Sequence, residues 1–292
     1  MLRDRSWSSR LFDYLNMTLL ILFALAATLP FVHIVGTSFA TEQEILTRDF
    51  MLFPTVFTWD AYRFIFASDR ITNSLAVTVL ITVAGTAINL FFTSMMAYPL
   101  SRRELIGRKP IMMLILFTLL FSGGMIPTFL IVKSLGLLNS YWSLLLPGAI
   151  STFNLIILKN FFQQMPDGIE ESAKIDGAND LSILIRIVLP LSLPAMATFA
   201  LFYAVGHWNT FMSAILYMND SKKWPIQVLL RSIVLLSQGG LQDAESVPDY
   251  LHIPPETVKM AVITVATLPI LCVYPFLQKH FAKGVLLGSV KG

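Results

Sequence analysis

The chain has 292 residues, 55% of them hydrophobic and only 13% charged, where a soluble domain carries roughly 25% charged residues, so an ordinary water-soluble fold is excluded. The formal net charge of +3 is too small to mark a nucleic-acid surface. The single cysteine, Cys272, excludes an internal disulfide and a cysteine-based metal cluster.

The charges are spaced so that six long uncharged runs remain: Tyr14 to Thr41, Ile71 to Ser101, Ile111 to Val132, Ser134 to Leu158, Ile187 to Asn219 and Met260 to Gln278. A hydrocarbon core of about 30 Å needs about 20 helical residues, and each run reaches or exceeds the roughly 18 that mark a candidate. The expectation is an all-α, polytopic membrane protein, one transmembrane domain over 1–292, with spans at about 14–38, 72–99, 111–132, 141–158, 187–218 and 260–278.

In chain order, Arg3, Arg5 and Arg10 precede the first span, as in a secretory signal. Its apolar run exceeds a signal h-region of about 7 to 15 residues, so the segment reads as a retained anchor. The first outer loop, 39–70, contains "FPTVFTWDAYRFIF", whose aromatics and Pro54 predict a structured cap at headgroup level. Between spans two and three lies the tight basic turn "SRRELIGRKP". The inner loop 162–186 carries "EESAKIDGANDLSILIRIVLP", from Glu170 to Pro190. There Pro166 and Asp167 read as the start of a helix with Asp167 as N-cap, Glu170 as the capping-box acid, and Gly177 as the left-handed residue that ends it. Glu170 and Lys174 also stand i, i+4 in the favourable order, worth some 0.2–0.5 kcal/mol. Pro190 and Pro194 in "LPLSLP" are expected to bend the entry to the fifth span. The second outer loop, 219–259, holds a short apolar segment, Trp224 to Gln238, with Arg231 in its middle. This reads as a packed or interfacial helix, followed by an arm broken by Gly239, Gly240, Pro248, Pro254 and Pro255.

Thirteen basic residues fall on one side: Arg3, Arg5, Arg10, Arg102, Arg103, Arg108, Lys109, Lys159, Lys174, Arg186, Lys279, Lys283 and Lys291. Eight fall on the other: Arg48, Arg63, Arg70, Lys133, Lys222, Lys223, Arg231 and Lys259. The positive-inside bias places both termini in the cytoplasm.

Glu171, Ser172, Ala173, Asp176, Gly177, Ala178, Ile187, Leu189 and Pro190 resemble the "EAA" signature of ABC importer permeases: E-A-A, a glycine after three intervening residues, and I-x-L-P ten positions beyond the glycine. Ser172 departs from the pattern, small for small. The ending "QKHFAKGVLLGSVKG" and the second span, with Ala97-Tyr98 before its basic turn, resemble sugar-uptake permeases similar to the smaller maltose-permease subunit. The segment "WPIQVLLRSIV" resembles the branch that imports complex oligosaccharides, including acidic ones such as alginate fragments.

The resemblance implies a permease subunit of an ATP-driven sugar importer in a bacterial cytoplasmic (inner) membrane. Its inner-loop helix would be a coupling helix seated in a cleft of an ATPase subunit through Glu171, Ser172, Ala173, Asp176, Gly177 and Ala178. The C-terminal residues Lys283, Gly284 and Lys291 would be a second ATPase contact. The implied partners are a second, related permease chain, two ATPase subunits that use ATP and Mg, an extracytoplasmic solute-binding protein seated on the 220–259 arm, a carbohydrate and membrane lipid. No G-x-x-x-x-G-K-[ST] occurs, so ATP hydrolysis is assigned to another subunit and no cofactor to this one.

Polar residues within the spans are either interhelical hydrogen-bond partners or the wall of a sugar path. Asn89, Asn154, Tyr203, His207, Trp208 and Asn209 are the candidates, with "YAVGHWNTF" offering aromatic faces beside polar groups. His33, His207, His252 and His280 are scattered, which argues against a metal centre. An ATP-independent secondary transporter or channel is the alternative and would need an inverted repeat or intramembrane ionisable groups. A membrane-embedded enzyme would need a nucleophile with its base, and His207 has no acidic neighbour in sequence.

Overall fold

The computed structural model describes residues 7–48, 50–237 and 256–289; along 274–289 only the course of the helix is described. Among the described residues every regular element is helical. The chain runs α1 (Trp7–Ser38), α2 (Glu42–Thr47), α3 (Asp60–Ala67), α4 (Asp69–Ser101), α5 (Arg108–Leu120), α6 (Met125–Ser134), α7 (Trp142–Leu145) and α8 (Thr152–Gln163). It continues with α9 (Asp167–Ile175), α10 (Asp180–Ile183), a π-helical turn (Leu184–Val188), α11 (Leu189–Leu191), α12 (Leu193–Trp208), α13 (Met212–Tyr217), α14 (Ile226–Ser237) and α15 (Glu256–Ser289).

Three helices among the described residues are long and apolar enough to cross a membrane, within Ser9–Ser38, Asp69–Ser101 and Glu256–Val273. The runs expected to be single helices at 111–132 and 187–218 are instead broken. Helices α5 and α6 meet at 115°, and the segment from α10 to α11 meets α12 at 85°. Counting each bent pair as one span gives five. The first break holds Gly123 and Gly124, which carry little helical preference. The second follows from Pro190 and Pro194, whose missing N–H groups and rings interrupt the helical ladder, with Ser192 Oγ donating to the Val188 carbonyl at 2.6 Å. The run 187–218 also ends early, at Trp208, before α13 begins. The run expected at 141–158 consists of α7, four residues, and α8, twelve, separated by a segment containing Pro147 and Gly148.

The molecule divides into two compact units, Met1–Thr72 with Leu230–Thr267, and Asn73–Leu229 with Leu268–Gly292. In the first unit the loop after α1 is ordered around packed aromatic rings. Phe39 stacks on Phe57 and Tyr62, with centroids 4.6 and 4.8 Å apart, and takes Trp59 on its edge. Ser38 Oγ and the Tyr62 hydroxyl lie 2.7 Å apart, and Glu44 accepts from the Thr55 N–H at 2.7 Å.

The second unit has two apolar cores. One gathers Ala97, Tyr98 and Leu100 of α4 with Ile115, Leu155, Leu158, Phe162, Ala173, Val188 and Phe199. The other joins Val77 and Ile81, near the start of α4, to Val132, Leu144, Ala214, Tyr217 and Val228. Helix α4 therefore runs through both, and the EAA segment belongs to the core at its C-terminal end. The arm beyond α14, residues 238–255, lies outside the described residues.

Candidate functional site

Helix α9 occupies Asp167–Ile175, with Pro166 in extended conformation before it. Its end is a Schellman motif: Gly177 has φ +81°, its N–H donates to the Lys174 carbonyl at 3.0 Å, and the Ala178 N–H donates to the Ala173 carbonyl at 2.9 Å. The left-handed role expected of Gly177 is thus observed.

The capping box is not. Asp167 is the first helical residue, so Glu170 stands one turn inside the helix, and its carboxylate turns inward to form an ion pair with Arg102. Lys174 correspondingly lies 3.6 Å from Asp180, not paired with Glu170. Glu170 and Ala173 are 6% and 7% exposed, whereas Glu171, Ser172, Asp176 and Gly177 are exposed and Ala178 is half-buried against the core. The six residues expected at the ATPase contact therefore split. Four face outward, while Ala173 and Ala178 owe their small size to packing within this chain. Sequence reasoning missed Ile175, a large apolar side chain that is 86% exposed between Lys174 and Asp176.

The basic turn after α4 frames the base of α9. The Arg102 guanidinium lies over the Tyr98 ring, 4.6 Å from its centroid. Arg108 donates from Nε to the Leu100 carbonyl at 2.8 Å and from Nη2 to Gln163 Oε1 at 3.2 Å, closing the turn onto the end of α8. A cavity of about 740 Å³ opens between these elements, bordered by Tyr98, Arg102, Gln163, Glu170, Lys174 and Asp180. Of the expected C-terminal contacts, Lys283 and Gly284 fall within α15, and Lys291 lies outside the described residues.

Of the candidate path residues, Asn89, Tyr203 and His207 lie in a hydrogen-bonded cluster that reaches the Asn154 N–H. His207 Nε2 and Asn89 Oδ1 are 2.5 Å apart, and Asn89 Nδ2 donates to the Gly148 carbonyl at 2.5 Å. One turn away, Thr93 Oγ1 and the Tyr203 hydroxyl are 2.7 Å apart, and the Ser151 N–H donates to that hydroxyl at 3.3 Å. Ser151 Oγ then caps α8 by accepting from the Asn154 N–H at 3.4 Å. Gly85 lies under the imidazole so closely that a β-carbon there would overlap the His207 ring.

These contacts tie α4 to α12 and to the break between α7 and α8. Asn89, Asn154, Tyr203, His207 and Trp208 are all buried, while Asn209 is exposed and donates to the Val205 carbonyl at 2.9 Å. Gly85 and the backbone at Gly148 and Ser151 were missed. The signal for Gly85 was present: Gly85, Asn89 and Thr93 recur every four residues along one face of α4, opposite Tyr203 and His207 on α12. Among the described residues no group of three or more His, Cys, Asp or Glu side chains could hold a metal ion.

Comparison with known proteins gives one consistent picture. Residues 106–287 match the family described as "Binding-protein-dependent transport system inner membrane component". The polygalacturonan/rhamnogalacturonan transport system permease protein YtcP of Bacillus subtilis (strain 168) is 63% identical over 284 residues, covering 97% of this chain and 99% of that protein. Protein LplC of the same organism is 54% identical, covering 98% and 96%. Among solved structures, a chain of a bacterial ABC transporter involved in the import of the acidic polysaccharide alginate superimposes with a TM-score of 0.86. It is 32% identical, over 94% of this chain and 98% of that one.

Proposed function

Because this chain belongs to the family of binding-protein-dependent transport system inner membrane components, we propose that it is the permease subunit of an ATP-driven importer for uronate-rich, acidic oligosaccharides. It is a transport component and not an enzyme. The acidic substrate class is supported by the relatives, since the 63% identical protein is named for polygalacturonan and rhamnogalacturonan and the superimposable one for alginate.

The observation that carries the reading is α9. An amphipathic helix is anchored on one face by Glu170 and Ala173 and presents Glu171, Ser172, Ile175, Asp176 and the left-handed Gly177 on the other. An exposed isoleucine flanked by charges, at a rigidly capped helix end, is suited to a cleft on a partner that is itself partly apolar. The partner in this reading is a cytoplasmic ATPase subunit, one of two that bind ATP and Mg, with a second, related permease chain completing the membrane path. Both termini are cytoplasmic, and six spans result if α5–α6, α7–α8 and α10–α12 each count as one crossing. The solute-binding protein docks on the outer arm between 220 and 259.

ATP binding draws the two ATPase subunits together, the cleft carries α9 with it, and the spans rock between outward-open and inward-open states. Of the residues expected along the path, Asn89, Tyr203 and His207 are buried and fasten α4, α12 and the start of α8 in register beside it. Asn209, exposed at the end of α12, is the member of the set open to a sugar hydroxyl. The test is gentle extraction through a tag on this chain, with Gly177→Arg as comparison. Recovery of an ATPase subunit and a second permease with the wild type, and loss of the ATPase with the variant, is expected. Absence of any ATPase from the wild-type preparation contradicts the reading.

A further inference from the structure

Helix α9 is held to its own chain by one face. Ala173 sits in the apolar core with Tyr98 and Leu100 of α4. One turn earlier Glu170 meets Arg102, the first residue beyond α4, with side chains 8% and 24% exposed. The stacking of Arg102 on Tyr98 fixes the cation over the last turns of α4. Beside this pair the space between α9 and the end of α4 is a cavity of about 740 Å³, not packed side chains.

A partly buried ion pair is a poor source of stability. Withdrawing two charges from water costs about as much as their attraction returns, and apolar residues of similar volume often replace such pairs without loss. What the pair does impose is register: Glu170, the buried partner, cannot draw away from Arg102 without leaving its carboxylate unpaired at a largely buried position. Resting on the reading of α9 as the ATPase-docking helix, we propose that the Arg102–Glu170 ion pair is the strut that delivers the displacement of α9 to α4. Helix α4 carries Asn89 and Thr93, which are bonded to His207, Tyr203 and the Gly148 carbonyl, so a push at its C-terminal end moves α12 and the α7–α8 break with it. Arg102 and Glu170 are positioning residues; the docking surface itself is the opposite, exposed face of α9.

The experiment uses the complex recovered from membranes through a tag on this chain, with Cys272 replaced by serine. Single cysteines are placed at Leu80, Val83 or Phe91, three exposed positions on α4. The rate of maleimide labelling is measured without nucleotide and after trapping with ATP and vanadate. Wild-type pairing should give a nucleotide-dependent change in rate on α4. Arg102→Met with Glu170→Met removes both charges without stranding either, and should keep the ATPase subunit while losing that change. The reversed pair, Arg102→Glu with Glu170→Arg, should restore it, which a merely space-filling role would not require. If the doubly neutral variant keeps the ATPase and the labelling change, the strut is overturned and the docking reading stands. If no position on α4 responds in the wild-type pairing, the strut is overturned as well. If no ATPase is recovered with wild-type pairing, the docking reading fails first, and the strut with it.

Discussion

Replacing Gly177 with alanine isolates the backbone requirement at the end of α9. The residue has φ +81°, and a β-carbon built there meets nothing within 4 Å, so the substitution creates no collision inside this chain. The cost is then that of holding an L-residue in the left-handed region, about 1–2 kcal/mol. Asparagine tolerates this region better and should cost a fraction of that. At about 1.4 kcal/mol per factor of ten, alanine makes opening of the final turn roughly 5- to 30-fold more frequent. Hydrogen exchange read on peptides covering the Gly177 and Ala178 amides reports it directly, because those N–H groups close the Schellman motif onto Lys174 and Ala173. The expected order of exchange rates is glycine, asparagine, alanine, slowest first. Equal rates for glycine and alanine, or faster exchange with asparagine than with alanine, would refute the backbone explanation.

Gly85→Ala should lower the thermal stability of the purified protein by about 1–3 kcal/mol, since the new methyl group falls on the His207 ring; pairing it with His207→Ala should recover part of the loss. Tyr203→Phe removes the hydroxyl shared by Thr93 and Ser151, and at about 0.6 kcal/mol for an average intramembrane hydrogen bond should shift thermal unfolding only slightly. A raised KM for sugar uptake with unchanged stability would instead put that hydroxyl on the substrate. In the loop after α1, the Thr55 hydroxyl and N–H, then the Val56 N–H and Arg48, hold the Glu44 carboxyl below the ordinary carboxylate range. Its contribution is therefore complete above the unfolded value of about 4.3 and is lost as pH falls through the lower folded value, so amide exchange at Thr55 and Val56 should accelerate there. Glu44→Gln should show the faster exchange at neutral pH, and an unchanged pH profile in that variant would remove Glu44 from the explanation.

Much of this was legible in the sequence because it is local. The left-handed Gly177, the helix before it and the bend at Pro190 and Pro194 all follow from residues within a few positions of one another. Breaks inside the apolar runs were harder. Gly123-Gly124 and Pro147-Gly148 are visible signals, but the absence of charge across them suggested continuous helices. The partners of Glu170 and His207 were not legible at all. Glu170 satisfies the spacing of a capping box, yet Arg102, 68 positions away, offers a stronger interaction in a buried place. His207 and Asn89 are 118 residues apart, and nothing local distinguishes a polar residue on a path wall from one that fastens two helices. The four-residue recurrence of Gly85, Asn89 and Thr93 is the sequence feature that favours the fastening role.

The most direct measurement is uptake by the reconstituted complex. The chain, its companion permease, the ATPase subunits and the solute-binding protein recovered with it would be placed in sealed vesicles and offered labelled trigalacturonate. ATP-dependent accumulation that requires the binding protein, is competed by other uronate oligosaccharides and is abolished by Gly177→Arg is the expected result. Accumulation without ATP, or ATP-driven uptake of neutral sugars with no response to uronate oligosaccharides, would contradict the assignment.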